Sequence, residues 1–275
     1  MTRALLVVLL LLVPAPASAL EETIRTIASR PGLAESFVVI QPSRAPAASL
    51  ILFMGGRGAL GLQRAPLGPR NTNFLVRSRA RFAERGFLVA VPDVPSDRLG
   101  AALVRFRTSA EHATDVRALI AALRAEAAVP VWLVGTSMGS VSAASVAARL
   151  TEGGPDGIVL TSSVMGTSRE MGESLQDVAL DRIRVPVLMV HHRDDACRAS
   201  RYADTSWAMR RLSGAPKREV LTFAGGDAPQ SEACEPLAPH GYFGIEERVI
   251  EAITAWDHRR HAVAPASSDV AGAVL

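Results

Sequence analysis

Short, continuous apolar runs recur along this chain, and between them apolar positions return every three or four residues. Residues 37–40, 50–53, 87–91, 131–134, 158–160 and 187–190 are the runs, rich in Val, Ile, Leu and Phe, and Glu219-Val220-Leu221-Thr222-Phe223 is a further strand-like stretch with two polar positions. Runs of that length with no polar alternation predict strands buried on both faces. Residues 111–127 place Val116, Leu119, Ile120 and Leu123 on one side of a helix. Further helices are expected over 73–85, stopped by Gly86, over the small-residue stretch 141–150, and over 245–259. Continuous strands alternating with helices predict an α/β class fold: a mostly parallel central sheet with helices on both faces. Two connections break the rhythm. Residues 55–71 are crowded with Gly, Pro and Arg, and residues 162–184 are small and polar, so both are expected to form walls of a site. No internal repeat is evident.

The chain opens with Arg3, an apolar stretch over 4–13 and the small-x-small pattern Ala17-Ser18-Ala19. This reads as a secretory signal peptide over residues 1–19, too short for a comfortable membrane span; a retained N-terminal anchor is the alternative. The expected division is signal 1–19, one α/β domain over 20–260, and a tail 261–275 that lacks periodicity and reads as disordered. No membrane span is expected in the mature chain, and its expected location is periplasmic or secreted. The mature chain carries 29 basic and 27 acidic residues, because the leader removes only Arg3. A net charge near +2, with no basic stripe interleaved with aromatics, argues against nucleic acid as a partner. Cys197 and Cys234 are an even pair in an oxidising compartment, which predicts a disulfide; two separate buried thiols are the alternative.

Chemistry concentrates at Gly135-Thr136-Ser137-Met138-Gly139, which follows the strand at 131–134 and enters the helix at 141–150. A serine hydroxyl is a weak nucleophile, and a sharp strand-to-helix corner exposes it to a base and to backbone N–H groups. Ser137 is therefore the candidate nucleophile. His240, in Pro239-His240-Gly241, lies between the last strand and the last helix, where flanking glycine leaves room for a ring over the sheet edge, and it is the candidate base. The base requires an acid to orient it. Asp194 and Asp195 follow the strand at 187–190; adjacent side chains diverge, and Asp195 is preferred because it stands nearest Cys197, whose bond to Cys234 would tie the acid and base segments together. A metal reading of His191, His192 and the two aspartates is disfavoured, since consecutive strand residues face opposite ways. His112 reads as a solvated or packed helical residue, and His258 and His261 as surface.

An acyl transfer site also needs donors for an oxyanion. Met138, following the nucleophile, is one; the other is expected from Met54-Gly55-Gly56-Arg57-Gly58, with Gly56 preferred and Arg57 next. That glycine turn lacks the Gly-Lys-Ser/Thr ending of a phosphate loop. Arg57, Arg64, Arg70 and Arg77 could meet an acidic substrate group, although in so arginine-rich a chain a solvated role is the simpler reading.

With Ser137, Asp195 and His240 in that order, the chain resembles the α/β-hydrolase superfamily over residues 36–258. It is most similar to small secreted bacterial members that carry Asp-x-Cys after the penultimate strand and a Cys shortly before His-Gly. The resemblance implies a Ser-His-Asp serine hydrolase, esterase-like, with no metal and no organic cofactor, acting on a small-molecule acyl substrate. Peptidase or acyltransferase chemistry on the same site, and a non-catalytic binding protein, are the alternatives; oligomeric state stays open. Two features depart from the pattern. Met54 stands where many relatives have His, and 162–184 is too short for a large cap.

Overall fold

The fold is taken from a computed structural model that describes residues 20–63, 67, 71–166 and 172–261, with 257–261 described as backbone alone. The expected signal, the tail beyond residue 261, Arg64 and Arg70 lie outside the described residues. Among the described residues eight strands form one sheet: β1 Glu22–Ala28, β2 Ala34–Ile40, β3 Ala48–Phe53, β4 Phe87–Pro92, β5 Val131–Thr136, β6 Gly157–Thr161, β7 Val187–His192 and β8 Arg218–Phe223. Their order is β1-β2-β4-β3-β5-β6-β7-β8. From β4 to β8 all neighbours are parallel, while β2 runs antiparallel to both β1 and β4.

The described residues form five α-helices: α1 Phe74–Glu84, α2 Ala110–Glu126, α3 Met138–Arg149, α4 Thr205–Arg211 and α5 Glu246–His261. Strand side chains alternate between faces, so each central strand feeds two cores. Leu50 and Leu52 pack on the side of Phe74, Phe82, Val249 and Trp256, from α1 and α5. Ile51 and Phe53 pack on the opposite side with Val116, Leu119, Val141 and Ala144, from α2 and α3. That two-sided burial explains the unbroken apolar runs.

The topology also places the site. The chain winds from β3 outward to β4, then returns to lay β5 on the other side of β3. Loops leaving β3 and β5 therefore diverge at a switch point, where a crevice opens at the carboxyl ends of the strands. Phe53 pairs with Gly135, so the glycine loop after β3 sits beside the Ser137 corner after β5. Beyond them β6, β7 and β8 bring the loops carrying Asp195 and His240 to the same edge.

Candidate active site

Ser137 lies between β5 and α3 with φ 53° and ψ −124°, a left-handed conformation that a non-glycine residue adopts only when its surroundings impose it. The imposing contacts come from the two flanking glycines. A Cβ on Gly135 would stand 2.2 Å from the Gly139 carbonyl oxygen, and one on Gly139 would stand 2.0 Å from the Phe53 oxygen. Two bonds then hold the corner. The Ser137 N–H donates to the Thr161 carbonyl at 3.0 Å, and the Ser140 hydroxyl donates back to the Ser137 carbonyl at 2.7 Å. Met138 is the first residue of α3, so its N–H has no partner within the helix and projects from the positive end of the helix dipole.

His240 sits in a single 3-10 turn, Pro239–Gly241, and is buried. Its Nδ1 is 2.8 Å from Oδ2 of Asp195. The other oxygen of Asp195 accepts the Cys197 N–H at 2.9 Å, so the carboxylate is held at both ends. His240 Nε2 is buried without a hydrogen bond to any described residue, including Ser137. Both residues nevertheless line one cavity of about 440 Å³, together with Met54, Gly56 and Met138. Asp194 is exposed and lies beside Arg193, away from His240.

Cys197 and Cys234 are joined by a disulfide in the wall of the same cavity. It links the Asp195 loop to the segment that leads into His240, and closing a loop of sequence separation 37 restricts the unfolded chain by about 4 kcal/mol on the chain-entropy account.

Three other histidines, His112, His191 and His192, sit in surroundings of their own. His191 Nε2 meets the Ser200 carbonyl at 2.8 Å, and burial lowers its pKa. His192 Nε2 meets the Gly225 carbonyl, also at 2.8 Å. His112 packs against Phe53 and Phe106, and burial lowers it to about 3. Arg77 pairs with Glu246 and donates to the Gly241 carbonyl at 2.7 Å, while Arg57 lies outside the cavity lining.

Sequence reasoning missed three residues. Tyr242, directly after the His-Gly pair, is fully buried with φ 57°; its hydroxyl donates to the Val190 carbonyl at 2.7 Å and accepts the Ser162 N–H at 3.0 Å. Burial raises its phenol, so it stays protonated and fastens the histidine turn to the ends of β6 and β7. Asn73 precedes α1 but does not cap it with its side chain; it lines the cavity with its amide near Gly55, and its Oδ1 is buried without a partner. Arg107 lies behind the glycine loop and is 1% exposed.

Strand order, switch-point crevice and strained serine corner together define the α/β-hydrolase fold. Solved structures agree. An α/β serine hydrolase without lid from Xanthomonas campestris matches with TM-score 0.60 at 17% identity, over 89% of this chain and 97% of that one. An esterase of Pyrococcus furiosus matches with TM-score 0.61 at 14% identity, over 88% and 92% of the two chains. A dienelactone hydrolase of Anabaena variabilis matches with TM-score 0.59 at 14% identity, over 87% and 98%. No protein-family model and no curated protein matches the sequence.

Proposed function

We propose that this protein is an extracytoplasmic serine hydrolase that cleaves a carboxylic ester through an acyl-enzyme, with Ser137 as nucleophile, His240 as base and Asp195 as the orienting acid. The observation that carries the reading is the 2.8 Å bond from His240 Nδ1 to Asp195, made by a ring whose Nε2 is unpartnered and whose residue lines the same cavity as Ser137. A bond to Asp195 keeps the proton on Nδ1 and leaves Nε2 as a proton acceptor. Ser137 Oγ then attacks the acyl carbon as Nε2 takes its proton, and Asp195 stabilises the imidazolium.

The carbonyl oxygen becomes an oxyanion facing the N–H groups of Met138 and Gly56, where each well-placed donor is worth about 10²–10³ in rate. His240 returns the proton to the departing alcohol. Water, deprotonated by the same Nε2, attacks the acyl-serine and releases the acid, restoring the hydroxyl at 137. A cavity of about 440 Å³ suits a small ester, and the structures that share the fold include esterases and a dienelactone hydrolase. The leader-like pattern of residues 1–19 and the disulfide support a location outside the cytoplasm.

Steady-state hydrolysis of short-chain p-nitrophenyl esters tests the proposal. Wild type should turn over and Ser137→Ala should lose several powers of ten in kcat while keeping its circular dichroism spectrum. Equal rates in the two proteins would overturn it, as would no turnover on any ester by a folded wild type, which would leave a binding role for the cavity.

A further inference from the structure

Arg107 occupies a position that solvation does not explain. It follows a tight stretch in which Ala102 and Arg105 both have positive φ, and that path turns its side chain inward until 1% remains exposed. Nη2 donates to the carbonyls of Met54 and Gly56, both at 3.2 Å. Nη1 donates to the hydroxyl of Ser142 on α3 at 2.8 Å. One guanidinium thus joins the glycine loop after β3 to the helix that begins at Met138.

The peptide geometry makes this consequential. Every peptide unit among the described residues is trans, so fixing a carbonyl fixes the plane it shares with the next N–H. Arg107 holds the 54–55 and 56–57 planes, which bracket the Gly55–Gly56 plane carrying the Gly56 N–H. A backbone bond from the Leu103 N–H to the Arg57 carbonyl, at 2.9 Å, adds a further tie. Space is reserved for the fork: a Cβ on Gly58 would stand 2.7 Å from Arg107 Nη2, at a φ of 78°.

Glu173 is the nearby countercharge: buried, it accepts the backbone N–H of Arg107 at 3.3 Å and the Thr108 N–H and hydroxyl at 2.9 and 2.7 Å, while Arg107 Nε is buried without a hydrogen bond to any described residue. Burial lowers the guanidinium to about 10 while Glu173 opposes that shift, so Arg107 is a cation at neutral pH.

We infer that Arg107 is the positioning residue of the oxyanion-binding loop: its buried fork sets the loop's peptide planes against α3, holding the Gly56 and Met138 N–H groups in register for the tetrahedral intermediate. The inference rests on the serine-hydrolase reading. It assigns Arg107 to a step in which charge develops on the substrate, and so to kcat rather than to ground-state binding. Lysine gathers its donors on a single nitrogen in place of a planar fork and restores only part of the effect.

Arg107→Met and Arg107→Lys, with kcat normalised to the active fraction titrated by a fluorophosphonate, test it on a p-nitrophenyl ester. Methionine is expected to lower kcat about 100-fold with KM within about threefold, and lysine about tenfold. The inhibition constant of an aryl trifluoromethyl ketone, which forms a tetrahedral adduct, should rise by the factor by which kcat/KM falls. A competent wild type whose folded variants keep kcat, or lose only KM, overturns the assignment of Arg107 alone. If the methionine variant does not fold, the lysine variant decides by the same criterion. A folded wild type with neither turnover nor labelling overturns the serine-hydrolase reading, and this assignment with it.

Discussion

Replacing Asp195 by Asn keeps the side-chain volume, removes one charge and turns one acceptor into a donor. In the native protein Oδ2 faces His240 Nδ1 at 2.8 Å and Oδ1 accepts the Cys197 N–H at 2.9 Å. The asparagine must therefore aim its NH2 at one of the two. Facing Cys197, it would oppose a backbone N–H that cannot change sign and leave two buried donors unpaired, at a cost of about 1–3 kcal/mol. Facing His240, it is satisfied as soon as the imidazole moves its proton to Nε2, and that tautomer cannot accept a proton from Ser137. The second arrangement is the lower in energy, so most molecules hold the wrong tautomer. The equivalent change in a serine protease lowers kcat about 10⁴-fold, and a loss of similar size is expected here. Asp194→Asn supplies the control, since Asp194 is exposed and its ion pair with Arg193 is a surface one worth little; kcat should stay within about twofold. The assay is steady-state hydrolysis of p-nitrophenyl acetate. An Asp195→Asn enzyme that keeps more than about a tenth of wild-type kcat, or an Asp194→Asn enzyme that loses as much, would refute the reasoning.

Three further outcomes follow from the packing and the charges. Gly139→Ala puts a methyl against the Phe53 carbonyl, which no rotamer relieves, so urea unfolding should report a loss of about 3 kcal/mol or more; unchanged stability would contradict the close approach of α3 to β3. Replacing Cys197 and Cys234 together by Ala should cost about 4 kcal/mol and lower kcat by loosening the Asp195 loop from the His240 segment; a double variant with wild-type urea midpoint and kcat would contradict this. His112 is held near a pKa of 3 in the fold and about 6.5 when unfolded, so the unfolded chain binds the extra proton as pH falls. Its contribution is present above about pH 6.5 and is lost progressively toward pH 3; His112→Phe should flatten the fall of the urea midpoint across that window, and an unchanged slope would place the imidazole in water.

The central sheet could be read from composition because β3 to β7 are buried on both faces, and their polar residues, Ser49, Thr136, Thr161, His191 and His192, stand at or next to the strand ends and leave the apolar runs unbroken. β1 escaped for the opposite reason. It is an edge strand paired only with β2, most of its side chains are exposed, and Glu22, Thr23, Arg25 and Thr26 leave little apolar signal. α4 is short, with two arginines at its end and no side-chain cap, too little for a periodicity to declare itself. At the site, Ser137, His240 and the aspartate pair were legible because each follows a strand and the glycines around them have few other uses. Choosing Asp195 over Asp194 rested on the position of Cys197; in the fold Asp195 is the one that meets His240 Nδ1, while Asp194 lies exposed beside Arg193. Arg107, Tyr242 and Asn73 were not legible. Their roles come from contacts made across the fold, and in a chain whose only lysine is Lys217 one more arginine carries no signal.

The claim on which the rest depends is that the hydroxyl at 137 is the activated nucleophile. Peptide mapping of the protein after treatment with a fluorophosphonate tests it directly. A single phosphonyl adduct on Ser137 is expected, absent from Ser137→Ala and strongly slowed in His240→Ala. An adduct on any other residue, or one that persists in Ser137→Ala, would contradict it.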